Sequence, residues 1–251
     1  VNDANDKKSQ MVYESLVRRL LQSETSPAVV LIFTLLNSGY SCQPHMSQIG
    51  AYYDLGMISV KNALQPEFTA GRMQFSDYSK DYAHPTTEGH AFIADMVAYY
   101  FDQAAVAPAA PYTMPETPVI GNFCENLANI RPGDPIIKTE GSFPQAVVAC
   151  YSYLKGWKHT MFTKADPMVL EIQGGPMFIV FKQENNAKCG NMEVWVDGVL
   201  KKTLNGNSAS AWGNPVTEMI FLGKGVHTVE IRMAEDSLTK TFNLLDVGYA
   251  K

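Results

Sequence analysis

The chain contains 251 residues, of which 46% are hydrophobic, so it is long enough for one large or two ordinary domains. Its formal net charge is -5 and its pI is about 5.5, which argues against the basic face that a nucleic-acid partner requires. The longest apolar run, AVVLIFTLL at 28–36, is too short to span a membrane. We therefore expect neither a nucleic-acid partner nor a membrane partner.

Helical and strand patterns alternate over the first hundred residues. DKKSQMVYESLVRRLLQSE predicts a helix, and the run at 28–36 predicts a strand buried on both faces, as in a parallel sheet. QPHMSQIGAYYDLG and MISV at 57–60 predict a second helix and a short strand. This order is typical of an α/β layered fold. The apolar face of the first helix consists of Tyr13, Leu16, Val17, Leu20 and Leu21.

The last predicted helix of this half runs from about Thr86 to Phe101. Thr86 or Thr87 can cap its start, and Glu88 suits the positive end of its dipole. Its apolar face consists of Ile93, Met96, Val97, Tyr100 and Phe101.

Composition changes near residue 104. DQAAVAPAAPYTMPETP is rich in Ala and Pro, so we predict a linker over 104–118 between domains at 1–103 and 119–251. About seven short, partly alternating apolar segments follow, and Asp197-Gly198 is a two-residue hairpin signal. The second domain is therefore predicted to be an all-β sandwich of the jelly-roll kind.

Four cysteines are spread along the chain without a CxxC pair, which argues against a zinc site. Cys124 and Cys150 could pair in an oxidising compartment. Four free, buried thiols are the alternative.

The segment DYAHPTTEGH, 81–90, places Asp81 three residues before His84. An aspartate so placed can accept a hydrogen bond from one ring nitrogen and fix the histidine tautomer, which leaves the other nitrogen to take a proton from a nucleophile. Pro85 restricts the residue before it and suits a ring that faces a cleft. Taken alone, the spacing is more typical of helix capping. A metal site that includes His90 is a further alternative, although no other ligand cluster is nearby.

The segment DYAHPTTEGHAFIADMVAYYF resembles the last signature block of the SGNH (GDSL-like) hydrolases, which reads Asp-x-x-His-Pro, a polar run, Gly and an apolar helix. VNDAND at the start resembles their Gly-x-Asn-Asp block without its Gly. GYSCQPHMSQIGAYYDLGMISV resembles the stretch between these blocks in the bacterial, carbohydrate-esterase-like branch. The resemblance covers residues 1 to about 103. It implies the C-terminal part of a flavodoxin-like hydrolase domain.

The resemblance also implies roles for particular residues. His84 is expected to be the general base, Asp81 to orient it, and Asn2 to donate to the oxyanion, with Asp3 in a structural role. Loss of one oxyanion donor typically costs about 2.7 to 4 kcal/mol in the transition state. No metal and no organic cofactor is expected.

The nucleophile of this family belongs to a Gly-Asp-Ser motif, which the chain lacks. Ser38 follows the Asn block, where the family does not place its nucleophile. The chain begins with Val1 rather than Met. We therefore expect it to be the C-terminal part of a longer protein whose missing N-terminal segment carries the serine.

The three tryptophans, Trp157, Trp195 and Trp212, all lie in the β half. Trp on an alternating strand is more often a core residue, but Trp212 in the loop NSASAWGNP and Trp157 beside His159 are candidates for binding sugar rings.

The sequence therefore predicts a serine esterase that removes acyl groups, most simply acetyl, from carbohydrate. An extracellular or periplasmic location is implied by the family. The alternative is a non-catalytic carbohydrate-binding protein with a partial hydrolase domain. A lipase is a third interpretation, against which no amphipathic lid is visible in the sequence.

Overall fold

A computed structural model describes residues 6–250, which divide along the chain into two compact units, the first ending at Glu125 and the second beginning at Asn126. The described part of the first unit is α/β, with elements α1 Lys7–Leu21, β1 Val30–Phe33, α2 Gln43–Tyr52, β2 Gly56–Ser59, α3 Val60–Thr69, α4 Phe75–Tyr78 and α5 Thr87–Val106. The second unit is all-β apart from a short 3₁₀ turn, Glu235–Ser237, with strands β3 Leu127–Ile130, β4 Ile137–Thr139, β5 Gln145–Cys150, β6 Tyr153–His159, β7 Met168–Gln173, β8 Pro176–Gln183, β9 Asn191–Val196, β10 Val199–Asn205, β11 Asn214–Phe221, β12 Val226–Met233 and β13 Phe242–Ala250. The predicted fold class, an α/β layer followed by an all-β sandwich, is confirmed.

Strands β1 and β2 pair in parallel, with Ile32 opposite Ile58. Leu31 and Phe33 are buried, whereas the Ile32 side chain between them is 44% exposed. The strand predicted to be buried on both faces is thus fully covered on one face by the described residues. The core on that face includes Val17 of α1 and Ile49 of α2.

Helix α1 buries only part of the predicted face: Tyr13 and Leu21 pack against the core together with Val17. Val17 is buried as expected, but Leu16 is 54% exposed, and Glu14 and Arg18 are buried instead. Hydrophobic spacing did not predict that Glu14 and Arg18 are buried, because it takes no account of hydrogen bonding. Polar side chains can be buried when they are fully hydrogen-bonded, and each of these two has several partners.

Most of those partners come from the segment between α5 and the second unit, and one is Tyr53 at the end of α2. The Glu14 carboxylate accepts hydrogen bonds from the backbone N–H groups of residues 119–121 at 2.6–2.7 Å and from the Tyr53 hydroxyl at 2.6 Å. Arg18 donates to the Glu125 carboxylate at 2.8 Å and to the backbone carbonyls of residues 115 and 116 at 3.0 Å. The predicted linker, 104–118, begins within α5 and then runs without helix or strand in the first unit. The domain limits drawn from composition stay a prediction.

The second unit consists of two antiparallel sheets. One has the order β10-β9-β12-β7-β4 and the other β11-β8-β13-β6-β5, with β3 also paired to β13. Their inner faces share one core of buried side chains from both sheets, such as Leu170, Val194, Phe181 and Leu244. A core between two antiparallel sheets defines a β-sandwich.

Turn chemistry identified the hairpin between β9 and β10. Asp197 and Gly198 have φ values of 50° and 76°, which is the backbone of a type I′ turn, and Val196 pairs with Val199. The sequence predicted about seven strands here, whereas the described residues of the second unit form eleven. Segments such as LANI and YLKGWKH give a weak strand signal because they are short or interrupted by polar residues and Gly.

The four cysteines, Cys42, Cys124, Cys150 and Cys189, are buried, free thiols. Of the two interpretations left open by the sequence, the structure therefore agrees with the one without a disulfide.

Candidate active site

The pair Asp81 and His84 lies in a loop of residues 79–86, here called the His84 loop, which connects α4 to α5. Buried Ser79 fixes this loop because its hydroxyl donates to the His84 carbonyl at 2.7 Å. Ser79 also forms an isolated antiparallel bridge with Pro85. The two ends of the loop therefore lie next to each other, and the residues between Ser79 and Pro85 form its tip.

The Asp81 carboxylate organises both the backbone and the ring of His84. Its Oδ1 accepts the backbone N–H groups of Ala83 and His84, each at 2.7 Å. Its Oδ2 lies 2.8 Å from His84 Nδ1. A carboxylate acceptor at Nδ1 selects the tautomer with the proton on that nitrogen, which leaves a lone pair on Nε2.

These contacts also keep the carboxylate charged. The two backbone N–H groups, and then the His84 ring, hold the pKa of Asp81 well below its usual range. The His84 side chain is 88% exposed, so its Nε2 is open to an incoming group. The arrangement can accept a proton at Nε2 and stabilise the resulting imidazolium with a carboxylate that stays ionised.

Helix α5 begins directly after the loop. Thr86 is its N-cap, and the Thr86 hydroxyl accepts the backbone N–H of Gly89 at 3.0 Å. A Cβ added to Gly89 would lie 2.1 Å from the Tyr78 carbonyl oxygen. The Gly of the TTEGH stretch is thus needed because the first turn of α5 packs directly against the backbone before the His84 loop.

A second loop contacts the His84 loop. The backbone N–H of Asn37, which follows β1, donates to the Tyr82 carbonyl at 3.0 Å, and the Tyr82 hydroxyl donates to Ser38 Oγ at 3.2 Å. Ser38 thus binds Tyr82 rather than His84. Sequence reasoning missed Tyr82, although its position between Asp81 and His84 was a usable signal.

Other predicted site elements lie outside the described part. Asn2, the expected oxyanion donor, and Asp3 lie outside residues 6–250. Within those residues, no serine hydroxyl hydrogen-bonds to His84 Nε2. The described residues also contain no cluster of three His, Cys, Asp or Glu side chains that could hold a metal ion.

The two tryptophans proposed for sugar binding have opposite environments. Trp157 is 1% exposed in the sandwich core, so it cannot stack on a sugar, and this candidate was wrong because alternation on β6 turns it inward. Trp212 is 74% exposed, and its Nε1 donates to the Tyr151 hydroxyl at 3.2 Å. Tyr151 is itself 70% exposed.

The Trp212 surface is a shallow, mostly polar depression of about 480 Å³. Lys182 and Glu184 form an ion pair of 3.0 Å in it, and amides come from Asn185 and Asn186. Tyr151 projects from the β5–β6 turn with a φ of 52°, a backbone conformation uncommon for a side chain of this size.

The described residues thus combine an α/β unit that carries an exposed acid–histidine pair with a second unit that is a β-sandwich. No protein-family model matches the sequence, and no curated protein matches it either.

Solved structures do match. A two-domain esterase active on acetylated mannans superposes with a TM-score of 0.87 and 26% identity over 100% of this chain and 71% of that chain. Its crystal form with mannopentaose gives a TM-score of 0.85 and 24% identity over 100% of this chain and 70% of that one. The chain therefore has a carbohydrate-esterase-like fold with a β-sandwich, as the resemblance found in the sequence implied.

Across residues 6–250, no helix combines the length and apolar character needed to cross a membrane.

Proposed function

We propose that this chain is part of a serine esterase of the SGNH class that removes acetyl groups from carbohydrate, with an acetylated mannan as the first substrate to try. The observation that carries the proposal is the 2.8 Å contact between Asp81 and His84 Nδ1, on a ring that is exposed and whose Nε2 has no hydrogen-bond partner within residues 6–250. The likeness to a solved esterase active on acetylated mannans supports the substrate class. An extracellular or periplasmic location, where polysaccharide is met, belongs to the same proposal.

In the proposed reaction, a serine hydroxyl attacks the ester carbonyl carbon while His84 Nε2 takes its proton. The tetrahedral intermediate collapses when the C–O bond to the sugar breaks, and His84 gives the proton to the departing sugar oxygen, which leaves as a hydroxyl group. Water, activated by the same Nε2, then cleaves the acyl-enzyme to acetate and free serine. Asp81 remains ionised throughout and holds the ring. Protein groups and water suffice for each step.

The nucleophile in this proposal is a serine outside residues 1–251, on a segment that precedes them. Ser38 is not assigned this role, because the family places its nucleophile before the Asn block and because Ser38 Oγ bonds Tyr82 and not His84 among the described residues. Asn2 is kept as the proposed oxyanion donor, because a neutral amide presents an N–H without adding charge. The proposed partner of this site is an acetylated carbohydrate. A nucleic acid or a membrane is not part of the proposal.

The test is acetate release from acetylated manno-oligosaccharide by the full-length protein as encoded. His84→Ala should lower kcat/KM about 10² to 10⁴-fold, because the general base is lost. The ring is 88% exposed, so thermal unfolding should be unchanged. His90→Ala, on an exposed residue of α5, is the matched control and should retain activity. Full activity of His84→Ala would refute the assignment.

A second candidate function, carbohydrate binding without catalysis, is favoured by one observation, the exposed pair of Trp212 and Tyr151 in a polar depression. Aromatic rings with hydrogen-bonding groups beside them suit the apolar faces and hydroxyls of a sugar. A wild-type protein that binds manno-oligosaccharide but releases no acetate would favour this candidate.

A further inference from the structure

Tyr82 is held in place at both of its ends, although its side chain is 57% exposed. Its carbonyl accepts the Asn37 N–H at 3.0 Å, and its hydroxyl donates to Ser38 Oγ at 3.2 Å. Its neighbour Asp81 is fixed by the contacts that orient His84. An exposed aromatic ring is thus anchored two residues from the base.

The turn that receives the Tyr82 hydroxyl is held by several hydrogen bonds of its own. Leu36 N–H donates to the Tyr40 carbonyl at 2.9 Å, and Gly39 N–H donates to the Leu36 carbonyl at 2.8 Å. Gly39 has a φ of 76°, which favours glycine, and its carbonyl accepts from Lys61 Nζ at 2.7 Å. The anchor of the ring therefore belongs to a turn fixed by β1 and α3.

A purely structural role for Tyr82 explains little of this arrangement. The hydrogen bond to Ser38 is exposed, and such bonds contribute little to stability because water competes for both groups. Tyr82 is more than half exposed and is not among the buried core residues. A ring whose backbone is held and whose hydroxyl favours one orientation, however, loses less conformational entropy when a ligand stacks on it.

From this we propose that Tyr82 is a specificity-determining residue that contacts the sugar ring carrying the ester, while His84 acts on the acyl group. This inference rests on the proposed esterase function and names a further contact of the same site. Its ligand is a neutral pyranose with an apolar face, which an uncharged aromatic ring accepts without desolvating a charge.

The experiment compares an acetylated manno-oligosaccharide with 4-nitrophenyl acetate, an ester without a sugar, on the full-length protein. Tyr82→Ala should raise KM for the oligosaccharide about tenfold and leave kcat/KM for 4-nitrophenyl acetate within about twofold, because only sugar binding is lost. Tyr82→Phe keeps the ring and should stay within about threefold on both esters. Tyr99→Ala, on an exposed tyrosine of α5, is the matched control.

Equal losses on both esters, or no change on either, would overturn the Tyr82 proposal while leaving the esterase assignment intact. If the wild-type protein hydrolyses neither ester, the esterase proposal fails. The contact between Tyr82 and a sugar ring is then tested by measuring the binding of an oligosaccharide. Mannopentaose is then titrated into Trp212→Ala and into Trp212→Ala with Tyr82→Ala, with the tyrosine ring resonances observed by NMR. A shift of the Tyr82 resonance on addition of mannopentaose, together with weaker binding by the variant that lacks the Tyr82 ring, would support a contact between Tyr82 and the sugar. The absence of both effects would overturn the Tyr82 proposal.

Discussion

Single residues in this chain gain their chemistry from one or two close partners. Asp81 and His84 are the proposed case in the α/β unit, and the sandwich contains a second pair of the same kind. His227 Nδ1 lies 2.6 Å from Asp197 Oδ2, and Asp197 also accepts the backbone N–H of Thr228 at 3.0 Å. This second pair lies at the β9–β10 hairpin, and its His227 side chain is only 15% exposed, so a structural role fits it best.

The second pair predicts a pH dependence. The hydrogen bond to Asp197 raises the pKa of His227 above its usual value of 6.5. The folded state then holds this proton more tightly than the unfolded state, so the stabilisation is fully present below pH 6.5 and is lost as pH rises through the folded pKa. NMR titration should show His227 titrating above 6.5, and Asp197→Asn should lower its pKa.

The same change should appear in thermal unfolding. The difference in Tm between wild type and Asp197→Asn should be largest between pH 3.8 and pH 6.5, the ordinary pKa values of the two groups. It should shrink at higher pH as His227 loses its proton, and at lower pH as Asp197 gains one. Asp166→Asn, on an exposed aspartate of the same unit, should show no such trend. A difference in Tm that grows as pH rises above 6.5 would contradict the prediction.

At the scale of elements, α5 contains a position, Gly89, where close contact with the backbone of another segment requires glycine. The sequence placed its start at Thr86 or Thr87 and its polar first turn correctly, because caps are local interactions. The need for glycine at Gly89 is not local, because the atom that excludes a Cβ is the Tyr78 carbonyl oxygen before the His84 loop.

Gly89→Ala is therefore expected to destabilise the protein by about 1 to 3 kcal/mol, or to displace the His84 loop, because the backbone must move to admit a Cβ. Denaturant unfolding measures the first effect and acetate release the second. His90→Ala, one residue further and exposed, should be close to neutral in stability. A Gly89→Ala protein of unchanged stability and activity would show that this packing is looser than described.

Helix α1 shows the opposite outcome at the same scale. Its length and part of its buried face followed from hydrophobic spacing, but the burial of Glu14 and Arg18 did not, because both are satisfied by the segment 115–125. Side chains a hundred residues apart cannot be paired from one sequence, so the buried polar face of this helix was not predictable.

At the scale of the whole molecule, each unit has one proposed contact with a polysaccharide. The first unit has the His84 loop, and the second has the Trp212 surface. If His84 acts on acetyl groups and the Trp212 surface binds the same glycan, attachment by the second unit raises the effective concentration of substrate at the first. This increase in effective concentration should occur only for a glycan that binds His84 and the Trp212 surface at the same time.

Trp212→Ala with Tyr151→Ala is therefore expected to raise KM on polymeric acetylated mannan about tenfold and to leave a short acetylated oligosaccharide within about twofold. The comparison uses the full-length protein. Phe162→Ala, which removes an 89% exposed aromatic side chain on the turn after β6, is the matched control. Equal effects on polymer and oligosaccharide would reject a separate binding role for this surface.

The sequence by itself determined the fold class, most helices, the Asp197-Gly198 hairpin and the Asp81–His84 spacing, because periodicity, caps, turns and an i,i+3 pair are local properties of the chain. Only the tertiary structure decided that Trp157 is buried and Trp212 exposed, that Ser38 binds Tyr82, and that Glu14 and Arg18 face inward. Those outcomes depend on which distant segments pack together, and a residue's neighbours in the sequence do not specify them.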